Sequence, residues 1–346
     1  MVEPQILEWA ESYLKVNGRP PGRVDLARAH GLSEFTARKV AAALRGSMLR
    51  PAGDGFSVPV EPMAAPGPDG AALWDRFLGE SEKAIKGRQR VMYRHLYFDD
   101  DGPVVIAFPS DMHLGAPFTD HRRILEDQRL IAAVPRCFQV NGGDVFDNAI
   151  KHRGMMVTAS SRVVDQVAML EELLKVAGHR TLAVVSGNHD DWTLETAGVD
   201  LLQFIFGRAG VLYAPSRMHL TVHLGDAEWA VAVHHRARYN SSLNLTHAGV
   251  RLLERGQDDA DVVVIGHTHE AATGTFVYKR RLRAVVRPGS YQVASDHSTR
   301  HGFNDATPTC PCVVFDPGQA VGEGVGAGFY VFHDLRQAVA VLGLLK

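Results

Sequence analysis

Residues 137–148 read CFQVNGGDVFDN and residues 181–190 read TLAVVSGNHD. In each, a short, largely apolar run passes straight into glycine and then into carboxylate, carboxamide or imidazole side chains. An apolar run of this length bounded by glycine predicts a buried strand, with the polar cluster on the loop at its end. The arrangement recurs along the chain. VVIAF (104–108) leads into Ser110-Asp111-Met112-His113, and WAVAV (229–233) into His234-His235. DVVVI (261–265) leads into Gly266-His267-Thr268-His269, and RAVV (283–286) into Arg287-Pro288-Gly289-Ser290. Helical patterns over 121–134 and 162–177 separate the early strands. Short strands alternating with helices predict a layered α/β fold, and such folds gather functional side chains on the loops beyond strand ends.

The donors on these loops are carboxylates, imidazoles and one carboxamide, a set that suits hard or borderline divalent ions. A zinc finger needs paired cysteines or closely set Cys and His. The chain has three cysteines, Cys137, Cys310 and Cys312, and the Cys310-Pro311-Cys312 pair has no second pair to join it. Glycines beside the donors let backbone pass close to an ion.

In order, the chain carries Asp111-x-His113, Gly143-Asp144-x-x-Asp147, Gly187-Asn188-His189-Asp190, His234 and Gly266-His267-x-His269. This set resembles the calcineurin-like metallophosphoesterase superfamily over roughly residues 104–290. The resemblance implies a two-layer β-sandwich flanked by helices (α/β/β/α) and a centre of two divalent ions, with Mn2+ as the default and Fe, Zn or Ni as alternatives. It implies that Asp111, His113 and His269 hold one ion, that Asn188, His234 and His267 hold the other, and that Asp144 bridges them. It further implies phosphoester hydrolysis, with a metal-activated hydroxide attacking phosphorus in line. His189 then stands beside the phosphoryl group as electrostatic stabiliser and general acid, with Asp147 as its orienting carboxylate. Two adjacent histidines end the strand at 229–233. His234 is taken as the ligand because it is the first residue after the strand, and because His234, Tyr239 and Asn240 match a His-x-x-x-x-Tyr-Asn stretch similar to purple acid phosphatases. His235 is then expected to face substrate. Lys151, His152 and Arg153 follow the Gly-Asp-x-x-Asp loop, where Lys151 and Arg153 are placed to meet a polyanionic substrate.

The remaining chain bounds the biology. With 346 residues, 45% hydrophobic, 22% charged and a net charge of −2, the sequence has globular composition and is no polybasic nucleic-acid glue. No stretch nears 18 uninterrupted apolar residues, so no membrane span is expected. The opening MVEPQILEWAESYL carries acids where a signal peptide needs basic residues, and the few cysteines suit a reducing compartment, so a cytoplasmic location is expected.

Residues 59–70 read PVEPMAAPGPDG, which excludes a helix interior or central strand. We read 59–72 as a linker between a domain over 1–58 and the phosphoesterase domain over 73–346, the latter entered through a helix from Leu73 to Arg90. The small domain shows a helical face at Ile6, Ala10 and Tyr13. A short helix containing Leu26 and Ala27 stops at Gly31, and Ser33 can cap a helix whose stripe is Ala37, Val40, Ala41 and Leu44. Met48–Val58, with Asp54-Gly55 at its turn, predicts a hairpin. This order resembles a winged helix-turn-helix. From Arg19 to Arg50, seven basic residues face two acidic ones. Arg38 and Lys39, outside the buried stripe, are the candidate contacts to DNA or RNA; a helical domain that docks on protein is the other reading.

Three functions compete. A nuclease draws on the small domain and on a second basic run, KRRLR (279–283). A phosphatase or diesterase on a nucleotide, small phosphoester or phosphoprotein draws on the near-neutral charge. A regulatory module that retains metals without turnover is disfavoured by the complete donor set and by His189. The polar, glycine-rich stretch Ser295–Gly328 is read as a substrate-facing loop or a docking surface.

Overall fold

A computed structural model describes residues 4–17, 21–48, 70–87, 92–99, 102–151, 161–255, 259–294, 306–320 and 327–343. The chain divides into two units, Met1–Lys86 and Gly87–Lys346.

The first unit contains helices α1 (Pro4–Asn17), α2 (Arg23–His30), α3 (Glu34–Met48) and α4 (Gly70–Gly87). Ile6 and Ala10 of α1, Leu26 of α2, and Ala37, Ala41 and Leu44 of α3 make a small core. The helical spacing of these residues puts them on facing sides. Gly31 ends α2 in the left-handed conformation at φ 64°, a turn that favours glycine. Ser33 then caps α3, its Oγ accepting the Thr36 N–H at 3.3 Å. Arg38 and Lys39 are exposed on α3, with the Lys39 ammonium 4.5 Å above the Phe35 ring. The hairpin expected after Met48 and the linker over 59–69 lie outside the described residues; what is observed is α2 and α3 joined through the turn at Gly31. The entry helix expected from Leu73 to Arg90 runs from Gly70 to Gly87.

The second unit has two six-stranded sheets. Sheet A contains β1 (Met92–Phe98), β6 (Arg217–Leu224), β7 (Ala227–His234), β8 (Val262–Ile265), β9 (Ala272–Tyr278) and β10 (Arg281–Arg287), ordered β1-β6-β7-β8-β10-β9. Sheet B contains β2 (Val104–Ala107), β3 (Cys137–Asn141), β4 (Thr181–Val185), β5 (Leu212–Ala214), β11 (Cys312–Ala320) and β12 (Ala327–Phe332), ordered β12-β11-β2-β3-β4-β5. Strands β2 to β5 pair in parallel, as do β7, β8 and β10. Parallel pairing puts the carboxyl ends of β2, β3 and β4 on one rim, and likewise those of β7, β8 and β10.

The sheets face each other across one apolar layer that includes Ile106, Val140, Val185, Leu220, Val231, Val264 and Val286. Outside sheet B lie α5 (His121–Ala133), α6 (Val163–Ala177), α7 (Asn188–Ala197), α8 (Leu201–Arg208) and α10 (Leu335–Leu342); outside sheet A lies α9 (His247–Glu254). The α/β/β/α layering expected from the family resemblance is therefore the observed one.

One expectation needs correction. Part of the stretch read as a loop or docking surface, 312–320, is strand β11, paired antiparallel with β2. Its Val313 and Phe315 belong to the central apolar layer, while Pro317 and Gly318 obscured the strand signal and coincide with a register irregularity. The KRRLR run holds a hairpin turn, with Lys279 and Arg280 at φ 49° and 63° between β9 and β10. Among the described residues, no helix is long and apolar enough to cross a membrane.

Candidate metal centre

The centre forms where the loops leaving both sheets meet. The loop after β2 runs beside the loop after β3, with Asp111 N–H donating to Gly143 O at 2.8 Å and His113 N–H to Asp144 O at 3.0 Å. The segment after β10 supports them: Ser290 Oγ and Tyr291 N–H both donate to Asp111 O, at 3.0 and 3.1 Å. Asp190 ties the β3 loop to the β4 loop, accepting the N–H groups of Val145, Phe146 and Gly187 at 3.3, 3.0 and 2.8 Å. Burial, with the Asp144 charge adding, pushes the Asp190 carboxyl up to about 8.

The backbone here is strained. Of eleven non-glycine residues with positive φ among the described residues, Asp111, His113, Asp144, His267 and His269 are five. Such conformations cost free energy and persist where surrounding structure imposes them, commonly at functional sites. Glycine is needed where the loops touch. A Cβ on Gly187 would lie 2.1 Å from Asp144 Oδ1, and one on Gly143 would lie 2.6 Å from His235 Nδ1.

Three overlapping groups of donors converge among the described residues: Asp111, His113 and His269; His113, Asp144 and His189; and Asp144, His235 and His267. Within each group the donor atoms lie within 4.8 Å of one another. In the first, His113 Nε2 and His269 Nε2 are 3.1 Å apart, and His269 Nε2 is 3.5 Å from Asp111 Oδ1. In the last, His235 Nε2 is 3.2 Å from Asp144 Oδ2 and 3.3 Å from Asn188 Oδ1. Asp144 joins the two ends, with Oδ2 also 3.9 Å from His113 Nε2. These buried and half-buried nitrogen and oxygen donors, aimed at one another from strained loops, fit a pair of divalent ions bridged by Asp144.

The protonation states of His113 and His267 agree with this. Burial, then the neighbouring His189 and His269, holds His113 well below its ordinary pKa. Burial and the His235 charge lower His267 to about 4. Both imidazoles are thus neutral and available as ligands. Burial alone would lower His235, but the facing Asp144 carboxylate raises it to about 10. Burial would likewise raise Asp144, but His235, His189 and His113 hold it well below the usual carboxylate range.

Of the two adjacent histidines, the structure brings His235 rather than His234 into the cluster. Side chains alternate along a strand. Val231 and Val233 point into the central layer, so His234, the last residue of β7, points to the opposite face with Ala230 and Ala232. Its ring lies 6.2 Å from that of His219. His235 stands past the strand end and turns inward, its Nδ1 hydrogen-bonded to Gly142 O at 2.9 Å. That bond leaves Nε2 facing Asp144. His235 is therefore part of the donor cluster rather than a residue facing substrate.

His189 opens α7, its N–H donating to Asp144 Oδ1 at 2.9 Å. Its ring stacks on Trp192 at 4.0 Å and meets His113 edge-on at 4.5 Å. Its Nδ1 donates to the main-chain carbonyl of Asp147 at 2.6 Å. The Asp147 carboxylate, expected to orient His189, has its Oδ1 3.9 Å from His113 Nδ1. Asn148, fully buried, adds a bond from Nδ2 to His189 O at 2.6 Å.

Lys151 pairs with Glu195 of α7. This ion pair engages the ammonium expected to meet substrate. Arg153 lies outside the described residues.

Sequence reasoning missed Ser290, Tyr291, Asp190 and Asn148 because their work is to hold loops. It also missed Arg287, which is 1% exposed at the end of β10 and donates from Nη1 to Leu245 O at 2.6 Å. The signal available was position alone, since each sits within a few residues of a strand end.

The sequence profile of the calcineurin-like phosphoesterase superfamily domain matches residues 106–304, and the chain belongs to that superfamily. Its fold and its clustered Asp and His donors are those of a metallophosphoesterase. No curated protein matches the sequence.

Solved structures similar in fold include Vacuolar Protein Sorting 29 from Cryptosporidium parvum, at 18% identity, covering 62% of this chain and 87% of that one, with a TM-score of 0.34. A metallophosphoesterase from Sphaerobacter thermophilus is 16% identical over 69% of this chain and 94% of that one, with a TM-score of 0.33. The nuclease MPE of Pseudomonas putida is 13% identical over 66% of this chain and 87% of that one, with a TM-score of 0.31.

Proposed function

We propose that this protein is a dinuclear-metal phosphodiesterase that hydrolyses nucleic acid, with Mn2+ as the working ion. The observation that carries the phosphoesterase reading is the convergence of Asp111, His113, Asp144, Asn188, His235, His267 and His269 on one rim. When bound, a metal pair would supply two divalent cations to grip a phosphoryl group and to make a water nucleophilic near neutral pH.

The protein's own groups do the rest. Asp144 stands between the two ends of the cluster and balances the charge of both ions. Asp111, held at its carbonyl by Ser290 and Tyr291, keeps a strained loop in one place. His189, with Nδ1–H committed to Asp147 O, presents Nε2 to the leaving oxygen and hands over a proton when charged.

Nucleic acid is favoured as substrate by the helix-turn-helix order of residues 1–58, with Arg38 and Lys39 exposed on α3. We read that unit as the part that delivers the phosphoesterase domain to a polynucleotide.

The test is hydrolysis by purified protein in Mn2+ of single-stranded DNA, duplex DNA, RNA, cyclic nucleotides and p-nitrophenyl esters. Turnover of a polynucleotide supports the reading. Turnover confined to nucleotides or monoesters replaces it with a phosphatase or small-molecule diesterase.

A further inference from the structure

Strands β1 and β6 carry a row of rings on the face of sheet A turned away from the central layer. Leu96 of β1 and Met218, Leu220, Val222 and Leu224 of β6 point into that layer. Alternation then sends Tyr93, His95 and Tyr97 outward from β1, and His219 and His223 outward from β6. The strands pair in parallel, setting Tyr93 opposite His219 and Tyr97 opposite His223.

The rings touch in two groups, Tyr93 with His219 and His95 with His223 and Tyr97. Tyr93 lies 4.9 Å from His219, His95 lies 5.1 Å from His223, and Tyr97 stacks on His223 at 4.5 Å with 10° between planes. Among the described residues, helix α9 packs on this face of the sheet at Ala230, Ala232 and Val263, on β7 and β8. On β1 the face is open, with Tyr93 64% and Tyr97 73% exposed. Large aromatics exposed together mark an interaction surface.

The row leads to the metal centre. β7 ends at His234, and the next residue, His235, belongs to the donor cluster. Arg217, at the start of β6, pairs with His234. Tyr93 and His219 therefore lie about 7 Å along the sheet from that end, and Tyr97 and His223 about 20 Å, at 3.3 Å per residue. The charge is graded in the same direction. On this face exposed Arg217 lies at the end near the metals, exposed Glu228 lies at the far end, and exposed Asp99 and Asp226 follow the strands there.

We infer that this face is a stacking platform for the bases of a single-stranded polynucleotide whose scissile phosphate sits at the metal centre. The inference rests on the phosphodiesterase reading above. Every base has a π-face, so a row of rings binds a single strand with little sequence preference. Arg217 at the near end meets a phosphate that approaches the metals, and acids at the far end do not oppose it. A duplex keeps its bases stacked and paired, so the platform selects unpaired strands.

The test compares full-length wild type with Tyr93→Ala/Tyr97→Ala and with Tyr93→Phe/Tyr97→Phe, which keeps both rings. Binding of a fluorescein-labelled oligothymidylate and of a duplex is followed by anisotropy, in chelator and in Mn2+. The alanine variant should bind the single strand at least about tenfold more weakly, bind the duplex as wild type does, and hydrolyse a p-nitrophenyl diester at the wild-type rate. The phenylalanine variant should bind the strand like wild type.

Equal strand binding by the alanine variant overturns the inference, as does an equal loss on strand and duplex. A wild-type dimer in sedimentation that the alanine variant abolishes also overturns it, because the face would then be covered by a second copy. Strand binding by wild type in chelator that depends on Tyr93 and Tyr97, without hydrolysis of any polynucleotide, supports the platform and removes the nuclease reading.

Discussion

His234 and His235 differ by one position and by the side of a sheet. Period-two alternation turns His234 outward, while the first residue beyond the strand is free to turn in. His235→Ala should therefore remove one ion per chain by metal analysis and abolish turnover, while His234→Ala should leave both ions in place. The reverse result would return the ligand role to His234. His189 separates chemistry from metal binding. His189→Ala should retain both ions but lose kcat by ~10²–10⁴-fold on esters with poor leaving groups, and lose less on p-nitrophenyl esters, whose leaving group needs no proton. Equal loss on both classes removes the general-acid role.

The His235–Asp144 pair carries a pH dependence of its own. In metal-free protein the His235 pKa is raised from 6.5 to about 10, so its contribution to stability is complete below about 6.5 and is lost as pH rises through about 10. Asp144 is lowered, so its contribution is present above the usual carboxylate range and is lost in acid. The thermal midpoint of metal-free wild type should therefore fall more between pH 7 and pH 10 than that of His235→Gln. Metal must displace the His235 proton, so Mn2+ uptake should release protons and tighten as pH rises over the same interval. Calorimetry in buffers of different ionisation heat measures both.

At the scale of elements, the centre depends on how loops are held at strand ends. Gly187 closes β4 and opens α7, and Asp144 occupies the space a side chain would need. Gly187→Ala should shift α7, lower the metal content and destabilise the domain by roughly 1–3 kcal/mol, the usual range for forced overpacking. Tyr291 links the loop that supports Asp111 to α5, its hydroxyl donating to the buried Asp127 carboxylate at 2.8 Å. Asp127 also holds Arg123 of α5 and Arg336 of α10. Tyr291→Phe deletes one bond to a buried carboxylate and should cost about 1–3 kcal/mol, read as a lower denaturation midpoint. Unchanged metal affinity in that variant would show that the link serves stability alone.

For the whole molecule, the question is whether residues 1–58 contribute to substrate capture. Reversing Arg38 and Lys39 to Glu in the full chain should weaken polynucleotide binding and flatten its salt dependence, since fewer counterions are released. The rate on a small diester should not change. An unaltered salt slope would leave the unit without a nucleic-acid role and favour a protein partner.

Much of the architecture was legible in sequence because its signals are local. Cys137–Asn141 and Thr181–Val185 form strands with the bounds their apolar runs suggest, and the donors lie just past strand ends, where parallel sheets expose them. The edge strand β1, with Tyr, Arg and His among its residues, and β11, interrupted by Pro317 and Gly318, carry no such run, and only pairing with β6 and β2 makes them strands. The kinds of donor, their order and their fitness for divalent metal were determined by the sequence alone. Which of two adjacent histidines enters the cluster, that a main-chain carbonyl rather than the Asp147 carboxylate holds His189, and that five rings align on one open face were decided by the tertiary structure. Side-chain direction at a strand end and contacts between distant loops depend on how two sheets pack, and a one-dimensional pattern carries no such distances.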